Sequence, residues 1–247
     1  MATNSSRAVA MFSFTCRCLM VGLSLAVIAP LGASAQVTAP ANVQTAQIVR
    51  KIACVGDSIT QGVGASGGMS WPDQLAKMLG ENWEVKNFGV SGTTLLNSGD
   101  NPYQKTGAFK NAKDFNPDGV VIILGTNDTK PQNWQHKDHF EADYKDLVKQ
   151  FANLASKPKI FICYPPYIAE NGNFGINEPN TKDEIPMIDR VAKATQARVI
   201  DVHAALVGKD ALIPDKVHPN TEGAAEIAKA VYKGLTGKTY VKADKDK

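Results

Sequence analysis

The chain has 247 residues, of which 43% are hydrophobic and 21% are charged, a balance typical of a globular protein rather than a disordered or fibrous one. The formal net charge of +3 comes mostly from the amino-terminal segment, because residues 1–35 contain two basic residues and no acidic one, which leaves +1 for the rest. Since no basic stripe runs along the body of the chain, we expect no nucleic-acid partner.

The first 35 residues have the pattern of an export signal. Two arginines precede or flank an apolar run at residues 18–31, which is too short to span a bilayer comfortably. An Ala-Ser-Ala stretch at positions 33–35 then offers the small residues that signal peptidases accept. We therefore expect cleavage before Gln36, a secreted or periplasmic protein, and no stable membrane anchor after cleavage. An uncleaved anchor is the alternative.

Composition divides residues 36–247 into three segments. Residues 36–49 are small, polar and unpatterned, and we interpret them as a linker or amino-terminal arm. Residues 50–237 form the predicted domain. Residues 238–247 mix lysine with aspartate and are interpreted as a flexible tail.

Within the predicted domain, apolar runs typical of buried strands alternate with segments of helical periodicity. The predicted strands are residues 51–55, 83–87, 119–124, 159–163 and 198–202. The predicted helices are residues 71–79, with Ser70 as the N-cap, and residues 140–154, 184–195 and 221–235. Such alternation predicts a parallel sheet, and ligands of parallel sheets gather at the carboxyl ends of the strands.

Polar motifs follow three of these strands, and a fourth motif lies near the carboxyl terminus. They are Gly56-Asp57-Ser58-Ile59-Thr60, Asn87-Phe88-Gly89-Val90-Ser91-Gly92, Gly125-Thr126-Asn127-Asp128 and Asp215-Lys216-Val217-His218-Pro219-Asn220. Together they resemble the SGNH-hydrolase superfamily, also called the GDSL esterases, over about residues 51–235. The resemblance implies a three-layer α/β/α sandwich around a five-stranded parallel sheet in the order 2-1-3-4-5.

The same resemblance implies roles for five residues. Ser58 falls on the nucleophile, and Asp215 and His218 fall on the D-x-x-H pair that activates it. Gly89 and Asn127 fall on the oxyanion-hole positions, beside the backbone N–H of Ser58. These residue types suit the chemistry, because a serine hydroxyl needs a base, histidine accepts a proton near neutral pH, and a carboxylate orients the imidazole.

Taken singly, each of these residues also has an ordinary interpretation as a turn residue, a cap or a surface group. Their joint presence favours catalysis, since a nucleophile, a base, an orienting group and oxyanion donors all occur. This chemistry needs neither a metal nor an organic cofactor, and we expect none. The implied sheet order separates the strands of Cys54 and Cys163, so we expect two buried thiols rather than a disulfide.

Competing motifs are weaker. Residues 62–68 match both G-x-G-x-x-G and, with Ser66 at its centre, G-x-S-x-G, but they lack the strand directly before and the helix directly after that both patterns require. His136 and His139 have the spacing of metal ligands without a clear third ligand, and a solvated segment is the favoured interpretation. His203 is the rival to His218 as catalytic base, although we favour a packed, hydrogen-bonded histidine there.

The substrate is inferred from finer resemblance. Residues 89–96, 125–128 and 130–134 resemble bacterial sialate O-acetylesterase-like proteins, which implies removal of small acyl groups, especially acetyl, from a small-molecule or glycan ester. Four aromatic residues in loops or loop–helix junctions are candidates to stack on sugars, and packing in the core is an equal alternative for them. They are Trp71, Tyr103, Trp134 and Tyr167.

Two other functions stay open at this point. One is a lipase or lysophospholipase of the same superfamily, and the other is a glycan-binding protein that lacks catalysis. The sequence leaves the oligomeric state open.

Overall fold

The computed structural model describes residues 50–242. The predicted export signal, the predicted linker and residues 243–247 of the predicted tail lie outside the described residues. Five strands are present, namely β1 (Arg50–Gly56), β2 (Trp83–Gly89), β3 (Gly119–Ile123), β4 (Lys159–Cys163) and β5 (Arg198–Ile200). The α-helices of the described part are α1 (Ser58–Gln61), α2 (Trp71–Leu79), α3 (Gly107–Asp114), α4 (Pro131–Trp134), α5 (Phe140–Ala152), α6 (Glu178–Thr195) and α7 (Thr221–Thr236).

The five strands form one parallel sheet in the order β2-β1-β3-β4-β5, which confirms the predicted topology. Strand β5 ends two residues earlier than predicted. The N–H of Tyr164 donates to the carbonyl of Ile200, and the next residues of that chain segment are Pro165 and Pro166. Because proline has no N–H, the ladder between β4 and β5 cannot continue past this point.

Two apolar cores cover the two faces of the sheet, because successive strand residues point to opposite sides. On one face, Val120 and Ile122 of β3 pack with residues of α3, α5 and α6. On the other face, Val121 and Ile123 pack with residues of α2 and α7. This arrangement is the predicted three-layer sandwich.

The observed helix boundaries agree with the predicted ones only in part. Helix α2 begins as predicted, with Ser70 and Asp73 forming a reciprocal capping box. Helix α6 begins six residues earlier than the predicted start at residue 184, because Asn177 caps it and Pro186 is accommodated inside it. Helix α3 was not predicted; its buried residues are Phe109 and Ala112, too few for a clear helical period.

Cys54 on β1 and Cys163 on β4 are both buried and free, with β3 between their strands. Burial raises the pKa of both thiols well above the ordinary value, so both stay protonated and unreactive. Within residues 50–242, no helix is long and apolar enough to cross a membrane.

Candidate active site

The carboxyl end of β1 places Ser58 at the first position of α1. The chain turns sharply there, and Gly56 permits the turn because an added Cβ would lie 2.1 Å from Thr60 Oγ1 and 2.6 Å from the Ile123 carbonyl oxygen. Asp57 caps the helix by accepting the N–H of Ile59 at 2.9 Å. These local contacts fix the Ser58 hydroxyl at the edge of the sheet where ligands of parallel sheets bind.

The loop before α7 brings Asp215 and His218 to this serine. The Oγ atom of Ser58 lies 2.9 Å from His218 Nε2, and His218 Nδ1 lies 2.6 Å from Asp215 Oδ2. Because a carboxylate only accepts, Nδ1 donates to Asp215, which leaves Nε2 free to accept the serine proton. The three residues predicted from separate motifs therefore form one continuous hydrogen-bonded chain.

Asp215 is held as a carboxylate by its surroundings. Partial burial raises its pKa, but the backbone N–H of His218, the imidazole of His218 and the N–H of Val217 all donate to it and together lower the pKa below the ordinary value. An ionised Asp215 keeps the imidazole oriented and stabilises its protonated form. The group is therefore suited to the orienting role rather than to proton transfer.

Two of the three predicted oxyanion donors lie at the cavity, namely the Asn127 side chain and the backbone N–H of Ser58. The Asn127 side chain follows β3, is 4% exposed and lines the same cavity as Ser58 and His218. One N–H of its Nδ2 donates to the Thr93 carbonyl at 3.0 Å. The second N–H of the amide is therefore available to a ligand. The backbone N–H of Ser58 has no hydrogen-bond partner within residues 50–242.

Gly89 does not occupy the third donor position, and the prediction of that role is wrong. Its N–H donates to Asn87 Oδ1 at 2.9 Å, so the proton is already used. An added Cβ at Gly89 would lie 2.3 Å from Gln61 N and 2.7 Å from the Thr60 carbonyl carbon. Glycine is therefore needed at position 89 so that β2 packs closely against α1.

Gly92, three residues later, lies where Gly89 was expected. It lines the cavity with Ser58 and Asn127, and its N–H has no partner among the described residues. Its φ of +77° is a conformation that favours glycine. Three residues that line the cavity therefore have an N–H available for a ligand: the backbone N–H groups of Ser58 and Gly92 and the side-chain amide of Asn127. The motif at residues 87–92 contains both glycines, and the sequence pattern alone does not distinguish them.

The cavity at these donors has a volume of about 170 Å³. It is lined by Ser58, Ser91, Gly92, Asn127, Lys130, Phe174, Ile176 and His218. A larger cavity of about 340 Å³ lies at the opposite, amino-terminal edge of the sheet, beside Arg50, Trp83 and Asp118, and contains neither the serine nor the histidine. The predicted nucleophile and base therefore line the smaller cavity.

The predicted sugar-stacking aromatics lie elsewhere. Trp71 and Tyr103 are fully buried, with Trp71 Nε1 donating to Thr60 Oγ1 at 3.2 Å and the Tyr103 hydroxyl donating to the Phe88 carbonyl. Trp134 is 8% exposed and packs edge-on against Phe140. Their stacking roles are therefore wrong, because all three rings are packed in the two apolar cores.

Tyr167 also lies away from the cavity, with its ring edge-on to His203 at 5.9 Å between centroids. The aromatic side chain at the cavity is Phe174, whose ring centroid is 5.8 Å from that of His218. Sequence reasoning missed Phe174 because the loop between β4 and α6 carries no recognisable motif.

The remaining candidate histidines do not reach the serine. His203 is buried and its Nε2 lies 2.8 Å from Glu178 Oε1, as expected of a packed histidine. His136 and His139 flank a short 3₁₀ turn before α5, and His139 is exposed. Among residues 50–242, no cluster of three or more histidine, cysteine or acidic side chains is arranged to hold a metal ion.

Ser66, the centre of the competing G-x-S-x-G pattern, is bonded to the start of α7. Its N–H donates to Thr221 Oγ1 at 3.0 Å, and its hydroxyl accepts from the same threonine at 3.2 Å. The nearby Gly64 allows this loop to lie against the histidine, because an added Cβ would be 2.7 Å from the Pro219 carbonyl oxygen and 3.1 Å from His218 Cβ. The glycine-rich loop thus supports the catalytic loop.

Three fully buried acidic residues lie behind the site. Burial raises the pKa of Asp57 from its usual 3.8 to about 6 and that of Asp128 from 3.8 to about 7. Burial raises the pKa of Glu184 well above its usual value, and the neighbouring Asp128 and Asp57 raise it further. In the described part of the chain, both carboxyl oxygens of Glu184 lack a hydrogen-bond partner, which also favours the neutral form.

These shifts predict a falling stability as the pH rises from about 4 to about 7. In that window the unfolded carboxyl groups have lost their protons, whereas the folded ones retain them, so the folded state binds more protons. Each such proton changes the free energy of unfolding by about 1.4 kcal/mol per pH unit. Urea unfolding at pH 5 and pH 8 tests this, and Glu184→Gln should weaken the decline because one titrating group is removed. An equal free energy at both pH values would contradict the prediction.

The chain is similar in sequence to known proteins. A family model described as the GDSL-like Lipase/Acylhydrolase family matches residues 54–226. The chain is 39% identical to an acetylxylan esterase of Xylanibacter ruminicola, over 73% of this chain and 42% of that protein. The chain thus spans less than half the length of this curated relative.

Solved structures share the fold. A carbohydrate acetylesterase from Sinorhizobium meliloti superposes with a TM-score of 0.61 at 21% identity, covering 76% of this chain and 99% of that one. An aryl esterase of M. smegmatis superposes with a TM-score of 0.62 at 20% identity, with the same coverage of both chains. These likenesses concern the arrangement of the sheet and its helices.

Proposed function

The chain belongs to the GDSL-like lipase/acylhydrolase family, and from that premise we propose that it is a carboxylic ester hydrolase that removes acetyl groups from carbohydrates through an acyl-enzyme on Ser58. The observation that carries the proposal is the hydrogen-bonded chain from Ser58 through His218 to Asp215, in a cavity that Gly92 and Asn127 also line.

The geometry supports a two-stage reaction. His218 Nε2 accepts the proton of Ser58 as Oγ attacks the ester carbonyl carbon, and the negative charge that develops on the carbonyl oxygen is met by Ser58 N–H, Gly92 N–H and Asn127 Nδ2. The protonated His218 then gives its proton to the departing alcohol oxygen, which leaves the acyl group on Ser58. In the second stage His218 takes a proton from water, and the resulting attack releases the acid and restores the serine.

Two observations support a small acyl group on a sugar. The cavity beside the oxyanion donors, about 170 Å³, matches a short acyl chain better than a long one. The relative at 39% identity is an acetylxylan esterase. The cavity volume supports a short acyl group, and the relative supports an acetyl ester of a carbohydrate.

The experiment that tests the proposal is a panel of p-nitrophenyl esters with acyl chains of two, four, eight and twelve carbons, run beside acetylated xylan and O-acetylated sialic acids. We expect kcat/KM to be highest for the acetyl ester and to fall at least about tenfold by eight carbons, since one methylene that does not fit costs 1–3 kcal/mol. Acetate should be released from at least one of the carbohydrates. A preference for the long chains would replace this proposal by a lipase, and no hydrolysis of any ester would favour a glycan-binding protein.

We also propose that the protein is exported, with residues 1–35 removed, so that it meets acetylated glycans outside the cytoplasm. The proposal is supported by the basic, apolar and small-residue segments of the amino terminus. The amino-terminal sequence of the protein recovered from the medium or periplasm tests it, with Gln36 as the expected first residue.

A further inference from the structure

The loop between β4 and α6 carries an exposed phenylalanine at the cavity. Phe174 is 57% exposed, one of few large apolar side chains of residues 50–242 that face solvent. Its φ of +56° lies in the left-handed region, which is uncommon for an aromatic residue. The exposure of the apolar ring and the strain of the backbone both destabilise the folded state. Strained residues of this kind cluster at ligand sites.

The loop holds Phe174 in this conformation through specific contacts. Asn173 Oδ1 accepts the N–H of Phe174 at 2.8 Å, and Asn173 Nδ2 donates to the Asp215 carbonyl at 3.3 Å. The N–H of Ala169 donates to the Lys216 carbonyl at 3.0 Å, and Lys216 Nζ pairs with Glu170 at 2.9 Å. The phenylalanine is therefore tied to the loop that carries Asp215 and His218.

The position of the Phe174 ring relative to His218 indicates which part of the ester the ring contacts. In the proposed reaction the departing alcohol oxygen must come within hydrogen-bond distance of His218 Nε2 to receive its proton. The carbonyl oxygen instead points to Gly92 and Asn127. Since the Phe174 ring is 5.8 Å from the ring of His218, which gives its proton to the alcohol oxygen, we expect Phe174 to face the alcohol portion of the ester.

We propose that Phe174 is a platform for the sugar that carries the acetyl group, and that it determines specificity for the alcohol portion of the substrate. The C–H face of a pyranose ring is apolar and covers an exposed aromatic face well. This binding energy is available only when the alcohol is large enough to reach the ring. The inference rests on the proposed function.

The test compares two acetyl esters with different alcohols. For Phe174→Ala, kcat/KM on acetylated xylooligosaccharides should fall about tenfold or more, because burial of an aromatic ring is worth at least one factor of ten. On ethyl acetate, whose two-carbon alcohol covers little of the ring, kcat/KM should change less than about twofold. Phe174→Trp should retain the activity on the sugar ester, since it keeps an aromatic face.

Two controls separate recognition from folding. Val207→Ala truncates an exposed apolar side chain that does not line the cavity, and it should leave both activities unchanged. Phe174→Gly should keep or raise Tm, because glycine relieves the positive φ, while the activity on the sugar ester still falls.

Four outcomes would overturn the inference. Equal losses on both esters would make Phe174 a structural residue, and no loss on either ester would remove it from the substrate site. A changed preference between ethyl acetate and ethyl butyrate would place it at the acyl group. Wild-type protein that cleaves ethyl acetate but releases acetate from no sugar would refute the carbohydrate part of the proposed function, and the sugar platform with it.

Discussion

Replacing Ser58 by alanine is expected to lower kcat for p-nitrophenyl acetate by at least about 10⁴-fold, because loss of a catalytic serine removes the acyl-enzyme route altogether. The residual rate should come from the oxyanion donors acting on water. The measurement is the steady-state release of p-nitrophenol by wild-type and variant protein at equal concentration. Circular dichroism should show the same fold, since the substitution removes one oxygen from a side chain that, among residues 50–242, makes its hydrogen bond only to His218.

Ser66→Ala is the matched control for this experiment. Ser66 is the serine of the competing G-x-S-x-G pattern, and its hydroxyl is bonded to Thr221 rather than to a histidine. Its replacement should leave kcat within about twofold. A large loss in Ser66→Ala, with Ser58→Ala active, would reverse the assignment of the nucleophile.

The sequence predicted most of the scaffold because its signals are local and repeated. Apolar runs marked the strands β1, β3 and β4, and Ser70 with Pro72 marked the start of α2. The order of the strands is not a local property, and it came from the resemblance of four motifs to a known superfamily. The triad residues came from the same motifs, which lie 160 residues apart in the case of Ser58 and His218.

The predictions from sequence that were wrong concern properties that depend on three-dimensional contacts. The sequence does not tell which of two glycines in one motif keeps a free N–H, because that depends on whether the Asn87 side chain turns back to Gly89. It also does not tell an exposed aromatic residue from a buried one. Trp71 and Trp134 look like ligand-binding residues by type, yet they fill the core, whereas the loop residue Phe174 reaches the cavity.

Asn127→Ala is expected to lower kcat about 100- to 1000-fold, which is typical for the loss of one oxyanion donor. The amide meets a negative charge that exists only after the serine has attacked, so the interaction is made in the transition state and not with the bound ester. KM should therefore change little. The free energy of unfolding should fall by about 1–3 kcal/mol, since the buried Thr93 carbonyl loses its partner.

The kinetics of this variant also test the arrangement of the three donors. Asn97→Ala removes an amide that pairs with Asp143 and does not line the cavity, so it should leave kcat within about twofold and serves as the control. If Asn127→Ala instead raises KM at an unchanged kcat, the amide binds the ground-state ester and is not an oxyanion donor. A fall in kcat at constant KM assigns it to the charge that develops on the carbonyl oxygen, beside the N–H groups of Ser58 and Gly92.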